Sequence, residues 1–319
     1  MSDPTCVLVT RRLPDGGTDP LHEAALTVVQ REEDDPYDHA ELVALAPTVD
    51  GIVCLLTDRI DREVLAAGAA GRLRVVANVA VGYDNIDVDA ATELGVAVCN
   101  TPGVLDETTA DLAFALILAA SRRCSEAERD LRAGRWVGWG VNQYLGHDVH
   151  GATLGLVGYG RIGRAVARRA AGFGMRVLHH TRHDTGEAGW VADLHDLLAT
   201  ADVVSLHVPL TPHTQHLIGA AELARMRRSA VLVNTSRGPV VDEAALAAAL
   251  TEGRIFAAGL DVFEHEPQVH PDLLQAPHTV LLPHIGSATH ATRTRMARLA
   301  CSGVVAVLAG HRPPNLVTA

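Results

Sequence analysis

No apolar run of about 18 residues free of charge occurs in the 319-residue chain, so no membrane-spanning helix is expected. Basic charge is short: 27 Lys and Arg face 38 Asp and Glu, a formal charge of -11, which argues against a nonspecific nucleic-acid binder. It leaves room for a local basic site that takes an anionic ligand. Cysteine is sparse. Cys6, Cys54, Cys99, Cys124 and Cys301 are scattered, odd in number and without a CxxC pair, which reads as reduced thiols in a cytoplasmic protein. The stretch from Met1 to Thr10 has neither a charged lead nor a long apolar segment, so no secretory leader is expected. Seventeen histidines are present, but none forms an HxxxH or HExxH pair on an evident helix. His179-His180 and His147/His150 read as surface or strand-end residues, and no metal is expected. What is abundant is apolar: 48% of residues, against 20% charged, the balance of a soluble globular protein rather than a disordered one. The length suits roughly two domains.

Short β-branched runs alternate with longer Ala/Leu-rich stretches. Val7–Thr10, Gly51–Leu55, Val75–Asn78 and Val96–Cys99 read as strands, with helices at Asp61–Gly68 and Asp87–Leu94. A long buried helix is expected over Glu107–Arg123, after Thr101-Pro102-Gly103. A second series follows, with strands at Thr153–Val157, Arg176–His179, Val203–Leu206, Ala230–Asn234, Ala257–Leu260 and Thr279–Leu281. Helices are expected between them at Ile162–Ala171, Asp193–Ala199, Ala220–Met226 and Glu243–Glu252, and a last one at Ala291–Ala309. The Gly- and Trp-bearing segment Gly134–Gly151 joins the two series. Such alternation implies βαβ units, hence an α/β protein with two doubly wound parallel sheets.

Thr153–Val157 runs into Gly158-Tyr159-Gly160-Arg161-Ile162-Gly163 and then into a helical stretch. A GxGxxG alone is a weak signal; between a strand and a helix it reads as a dinucleotide loop, with the pyrophosphate on the helix N-terminus. The next strand is followed by Thr181, Arg182 and His183 rather than by Asp or Glu. No carboxylate repels a ribose 2′-phosphate there and Arg182 can bind one, which favours NADP(H) and leaves NAD(H) possible. An ordinary solvated arginine is the alternative.

Three motifs stand at or just past expected strand ends: Asn234-Thr-Ser-Arg237-Gly, Leu260-Asp261-Val-Phe-Glu-His-Glu266-Pro267, and Pro283-His284-Ile-Gly286-Ser287. In a doubly wound sheet those ends form the ligand crevice. An arginine can hold a substrate carboxylate, a histidine can protonate a nascent alkoxide, and a carboxylate can orient and stabilise the protonated histidine. Together they fit reduction of a 2-keto acid; from spacing alone a structural salt bridge fits as well.

These motifs resemble the D-isomer-specific 2-hydroxyacid dehydrogenase family over nearly the whole chain, and especially its glyoxylate/hydroxypyruvate reductase branch. Val9-Thr-Arg-Arg-Leu-Pro14, Val79-Ala-Val-Gly-Tyr-Asp-Asn-Ile-Asp87, Thr109-Ala-Asp-Leu-Ala-Phe114 and Leu282-Pro-His-Ile-Gly-Ser-Ala-Thr289 carry that likeness. The resemblance implies Arg237, Glu266 and His284 as the catalytic three. It implies Val81-Gly82 as the carboxylate loop, with Leu55 and Ser287 also on the substrate side. Cofactor contacts would fall on His207, Pro209, Thr235, Ser236, Asp261 and Gly286 besides the Gly-rich loop. The implied fold is a flavodoxin-like substrate domain, residues 1–98 with 289–319, and a Rossmann cofactor domain, residues 99–288, with a cleft between. A homodimer with Glu107–Gly146 as the exchanged arm is implied too. Relatives that act on phosphoglycerate place an Arg where Leu55 stands, and the Val79–Asp84 loop holds no Lys or Arg. A substrate phosphate would lack its counter-charge, so glyoxylate or hydroxypyruvate fits better, unless Leu55 is merely core. Trp136 and Trp139 match the branch, whereas a later Trp is replaced by Gln143 or Tyr144, which puts the fine substrate range in doubt. Two rival expectations stand: an NAD-linked dehydrogenase for a larger acid, and a non-enzymatic, dinucleotide-dependent interaction module like the family's corepressor relatives.

Overall fold

Runs such as Gly51–Cys54, Val75–Asn78, Val203–Leu206 and Ala257–Leu260 carry no polar alternation, and each is buried along its whole length. That is the mark of strands covered by helices on both faces. In the computed structural model, which describes residues 4–318, these runs form two all-parallel sheets. The first comprises β1 (Cys6–Val9), β2 (Thr27–Gln30), β3 (Gly51–Cys54), β4 (Val75–Asn78) and β5 (Ala97–Cys99), in the order β2-β1-β3-β4-β5. The second comprises β6 (Thr153–Val157), β7 (Arg176–His180), β8 (Val203–Leu206), β9 (Val231–Asn234), β10 (Ala257–Leu260) and β11 (Thr279–Leu281), in the order β11-β10-β9-β8-β6-β7. The first order is flavodoxin-like and the second is that of a dinucleotide-binding sheet, whose direction of winding reverses between β6 and β8.

The chain divides into two units. One runs to Leu105 and resumes at Ser287; the other is continuous over Asp106–Gly286. The edges drawn from sequence, at 98/99 and 288/289, lie slightly off these. The first cuts β5, and Asn100 and Thr101 still bond back into the first unit, to Asn315 O at 3.1 Å and Ala80 O at 2.8 Å.

In the first unit the helix His290–Leu308 packs Ala297, Ala300, Cys301 and Val304 against Val7, Val53, Val75 and Ala77 of the sheet. Its start is set by Thr289, whose hydroxyl accepts the Thr292 N–H at 3.2 Å. In the second unit the helix Asp106–Ser121 buries residues on several faces and lies against β9 and β10. It ends two residues before the expected Arg123, which is left-handed at φ +54° and opens a further helix, Cys124–Arg132. That helix is mostly charged and buries no residue, while β2 and the short helices Asp19–Glu23, His39–Leu45 and Pro271–Gln275 span too few residues to show a period in the sequence. Among the described residues no helix is long and apolar enough to cross a membrane.

Candidate active site

Register places the second unit's functional loops together. Leu206 and Leu260 both lie opposite Asn234, so β8, β9 and β10 end level and their following loops leave from one edge of the sheet. Past β9, Asn234 shapes the turn: its Oδ1 accepts the Ser236 N–H at 2.9 Å and its Nδ2 donates to Arg237 O at 2.9 Å. Arg237 Nη1 donates to Ser236 O at 2.9 Å. Gly238 then passes so close to the loop after β10 that any Cβ there would collide with the Phe263 carbonyl. Only glycine lets the Arg237 loop and the Glu266 loop lie side by side.

Glu266 Oε2 meets His284 Nδ1 at 2.8 Å, and Glu266 Oε1 accepts the Phe263 N–H at 3.0 Å. Burial acts to raise the Glu266 carboxyl. The hydrogen bond and charge of His284, the Phe263 N–H and the Arg237 charge outweigh it, and the group sits below its ordinary value. It is therefore ionised at neutral pH, an acceptor for an N–H at His284 Nδ1 that leaves Nε2 outside this pair.

His284 itself is left-handed, at φ +53°, a conformation rare for a residue with a Cβ. The loop is held there by Asp261, 1% exposed, whose Oδ1 and Oδ2 accept the Ile285 and Gly286 N–H groups at 2.7 Å each. The Asp261 O also accepts the His284 N–H at 2.9 Å. Burial nonetheless leaves the Asp261 carboxyl above its ordinary value. Nothing in the sequence signals that both of its oxygens hold this loop. Gly286 abuts Asp261 Oδ2, where a Cβ would stand 3.1 Å away.

The Gly-rich loop crosses from β6 to the helix Arg161–Ala171, with Gly160 as its N-cap. Gly158 needs its freedom: φ is +94° and a Cβ would lie 2.6 Å from His207 O. A Cβ at Gly163 would collide with the Gly158 carbonyl oxygen, whereas one at Gly160 would meet nothing within 4 Å. The two crowded glycines close the turn and the third leaves an open backbone face before the free N–H groups of the helix, as a pyrophosphate requires. Thr235 Oγ1 is buried without a hydrogen-bond partner, a polar atom placed for a ligand beside that edge. These residues fit a dinucleotide.

Tyr159 stacks on His179 at 3.8 Å with Arg164 4.6 Å from its ring, Arg161 pairs with Asp106 at 3.2 Å, and Ile162 packs against the core. After β7, Thr181 Oγ1 donates to His183 O at 2.7 Å, which bends the chain so that Arg182 and His183 are exposed. Among the described residues no carboxylate pairs with Arg182. Pro209 is exposed, and its carbonyl accepts the Thr214 hydroxyl at 2.7 Å.

His207 Nε2 lies 2.9 Å from Ser205 Oγ, and burial pushes the imidazole down to about 4. The unfolded chain, with an ordinary value near 6.5, takes up this proton first. Folding should therefore weaken as pH falls from about 6.5 towards 4, by up to about 1.4 kcal/mol per pH unit. Urea titrations of wild type and His207→Asn should run parallel above pH 6.5 and diverge below it. Parallel curves throughout would show that His207 titrates normally in the folded state.

The first unit carries the other motif residues. Leu55 begins a loop whose N–H donates to Asp58 Oδ2 at 2.8 Å. Asp58 also accepts the Thr10 hydroxyl at 2.5 Å and pairs with Arg11 at 3.1 Å, both side chains being buried. Asn85 Nδ2 donates to Leu55 O and Asp58 O at 3.0 Å each. Asn78 Nδ2 holds Gly82 O and Asn100 Nδ2 holds Val81 O, each at 2.8 Å. The carbonyls of the Val81-Gly82 loop are thus tied down, while its two N–H groups make no hydrogen bond among the described residues. Ser287, the residue at which this unit resumes, is half-buried, and its carbonyl accepts the Thr289 N–H at 2.8 Å.

Residues 114–286 match the family model described as D-isomer specific 2-hydroxyacid dehydrogenase, NAD binding domain. The chain belongs to this family. It is an oxidoreductase that uses a nicotinamide dinucleotide. Over 98% of its length it is 51% identical to a glyoxylate reductase of Korarchaeum cryptofilum, 95% of which is covered. A crystal structure of a Thermus thermophilus protein shares 46% identity at a TM-score of 0.93, covering 98% of this chain and 100% of that one. An NADPH-dependent glyoxylate/hydroxypyruvate reductase of Sinorhizobium meliloti, solved with NADP and malonate, gives a TM-score of 0.86 at 35% identity, covering 99% of this chain and 97% of that one.

Proposed function

We propose that the protein is an NADP(H)-preferring reductase that converts glyoxylate and hydroxypyruvate to D-2-hydroxy acids. The observation that carries this reading is the 2.8 Å His284–Glu266 pair, on the same sheet edge as Arg237 and the Gly-rich loop. The second unit serves the cofactor and the first serves the substrate. A bound nicotinamide dinucleotide supplies a hydride to C2 of the keto acid. Arg237 grips the substrate carboxylate and polarises the ketone. His284 gives the Nε2 proton to the oxygen on C2 as it becomes an alkoxide, and Glu266 stabilises the imidazolium beforehand. Within the first unit, the unpaired N–H groups of Val81 and Gly82 are donors suited to a carboxylate.

A phosphorylated acid fits poorly. The buried Arg11 stands behind the Leu55 loop, but its charge is already matched by Asp58 at 3.1 Å. NADP(H) preference is supported by exposed, unpaired Arg182 after β7 and by the relative solved with NADP. Arg182→Ala should weaken NADPH binding roughly ten- to a hundredfold and leave NADH binding nearly unchanged. Equal losses would show that Arg182 does not read the 2′-phosphate. A spectrophotometric panel of glyoxylate, hydroxypyruvate, pyruvate and phenylpyruvate with each coenzyme tests the whole reading; preference for phenylpyruvate with NADH would replace it with a dehydrogenase of larger acids.

The segment holding Leu131, Trp136, Val137, Trp139, Val141 and Leu145 exposes all six. Such an apolar stretch supports a homodimer. Light scattering at the monomer mass of 33.7 kDa would contradict that.

A further inference from the structure

One buried carboxylate has no part in the chemistry above. Glu243 opens the helix Glu243–Thr251 and is 4% exposed. Its Oε1 accepts the Glu264 N–H at 2.7 Å and its Oε2 accepts the His270 N–H at 3.0 Å. These two N–H groups lie on either side of Glu266, so a single side chain holds both ends of the segment that carries it. The contact is returned: the Glu243 N–H donates to Glu264 Oε1 at 3.0 Å, and His216 Nε2 stands 2.9 Å from the same oxygen.

Apart from the Glu243 contacts, the segment is tied by its own side chains, Glu264 to His216 and Glu266 to the Phe263 N–H and His284, and by Val269 against the core. Among the described residues, the one backbone–backbone bond within 264–270 is Gln268 N–H to His265 O, at 2.8 Å. Without Glu243, two N–H groups beside a buried site lose a charged acceptor, and the segment can relax. Glu266 rides on that segment and sets the Nδ1 side of His284.

We propose that Glu243 is a positioning residue for the proton donor: it clamps the 264–270 segment, which aims Glu266 at His284, without touching substrate or cofactor. This rests on the reading of Glu266 and His284 as the acid pair. The charged and titratable groups facing the clamp are Glu264, His216 and His265, the last 3.9 Å from Glu264. Those facing the acid pair are Arg237 and Asp261. None of them bridges Glu264 and His270 as Glu243 does.

The carboxylate has a specific advantage here. A glutamine offers one acceptor oxygen for two N–H groups and turns an NH2 towards the other, so Glu243→Gln keeps the volume and half of the clamp. Glu243→Ala loses both halves. The test is the pH dependence of kcat and kcat/KM for both variants and for Glu266→Gln, with thermal unfolding measured alongside. Reduction needs His284 protonated, so loss of the Glu266 charge should move the falling alkaline limb to lower pH. Glu243→Ala should move the same limb in the same direction and lower kcat roughly 10- to 100-fold, with the KM for coenzyme within about twofold. Glu243→Gln should fall between wild type and Glu243→Ala, and its limb alone decides the matter if the alanine variant does not fold. A wild-type limb and kcat in folded Glu243 variants, with the limb displaced in Glu266→Gln, would reduce Glu243 to a structural brace. An undisplaced limb in Glu266→Gln itself would overturn the acid-pair reading, and the proposal with it.

Discussion

His284→Ala should lose about 10²–10⁴-fold in turnover, the usual worth of a positioned proton donor. Among the described residues of this unit, neither carboxyl beside His284 is free to take over the proton. Glu266 is ionised and already bound to Nδ1, and Asp261 spends both oxygens on the loop. Alanine also has to adopt the left-handed backbone at φ +53°, which adds a conformational loss to the chemical one. His284→Asn removes that ambiguity, because asparagine tolerates this region and carries no titratable proton. Both variants should show similar losses in kcat at saturating coenzyme. Turnover within a few-fold of wild type in either one would remove His284 from the chemistry.

The second large effect is on stability. Asp58→Ala should cost about 3–5 kcal/mol, because it strands a buried guanidinium. The Arg11 and Asp58 side chains are 3% and 0% exposed, and the carboxylate also serves the Leu55 N–H and the Thr10 hydroxyl. Replacing both partners with apolar residues, Arg11→Met with Asp58→Leu, should recover much of that loss, since the charge left behind carries most of it. Guanidinium unfolding at equilibrium measures both. A loss under about 1 kcal/mol for Asp58→Ala would mean that water reaches Arg11 and solvates it.

What the sequence made legible was whatever local chemistry encodes. The Gly158–Gly163 loop was readable because a tight turn, an open backbone face and close packing each demand glycine at a fixed spacing. The buried strands were readable from their unbroken apolar runs, and Arg237, Glu266 and His284 stood out as candidates by residue type at strand ends. What stayed hidden lies in partnerships between distant positions. Asp261 bonds residues 285 and 286, Glu243 bonds 264 and 270, and Arg11 pairs with Asp58. A lone acidic residue after a strand or at a helix start looks the same whether it caps, clamps or faces solvent. β2 was invisible for another reason: as an edge strand it alternates between exposed and half-buried residues and keeps only two apolar side chains.

The return of the chain to its first unit has a consequence for synthesis. The last helix covers Val7, Val53, Val75 and Ala77, and the N–H groups of Val98 and Val317 tie residues 317 and 318 to β5. On the ribosome, β1, β3 and β4 therefore wait with one greasy face bare until residues 290–318 emerge. The later-made unit, continuous from 106 to 286, can close in the meantime. Residues 4–105 are translated before the second unit but completed after it, and a chaperone or slow translation of residues 287–318 would act on that uncovered sheet.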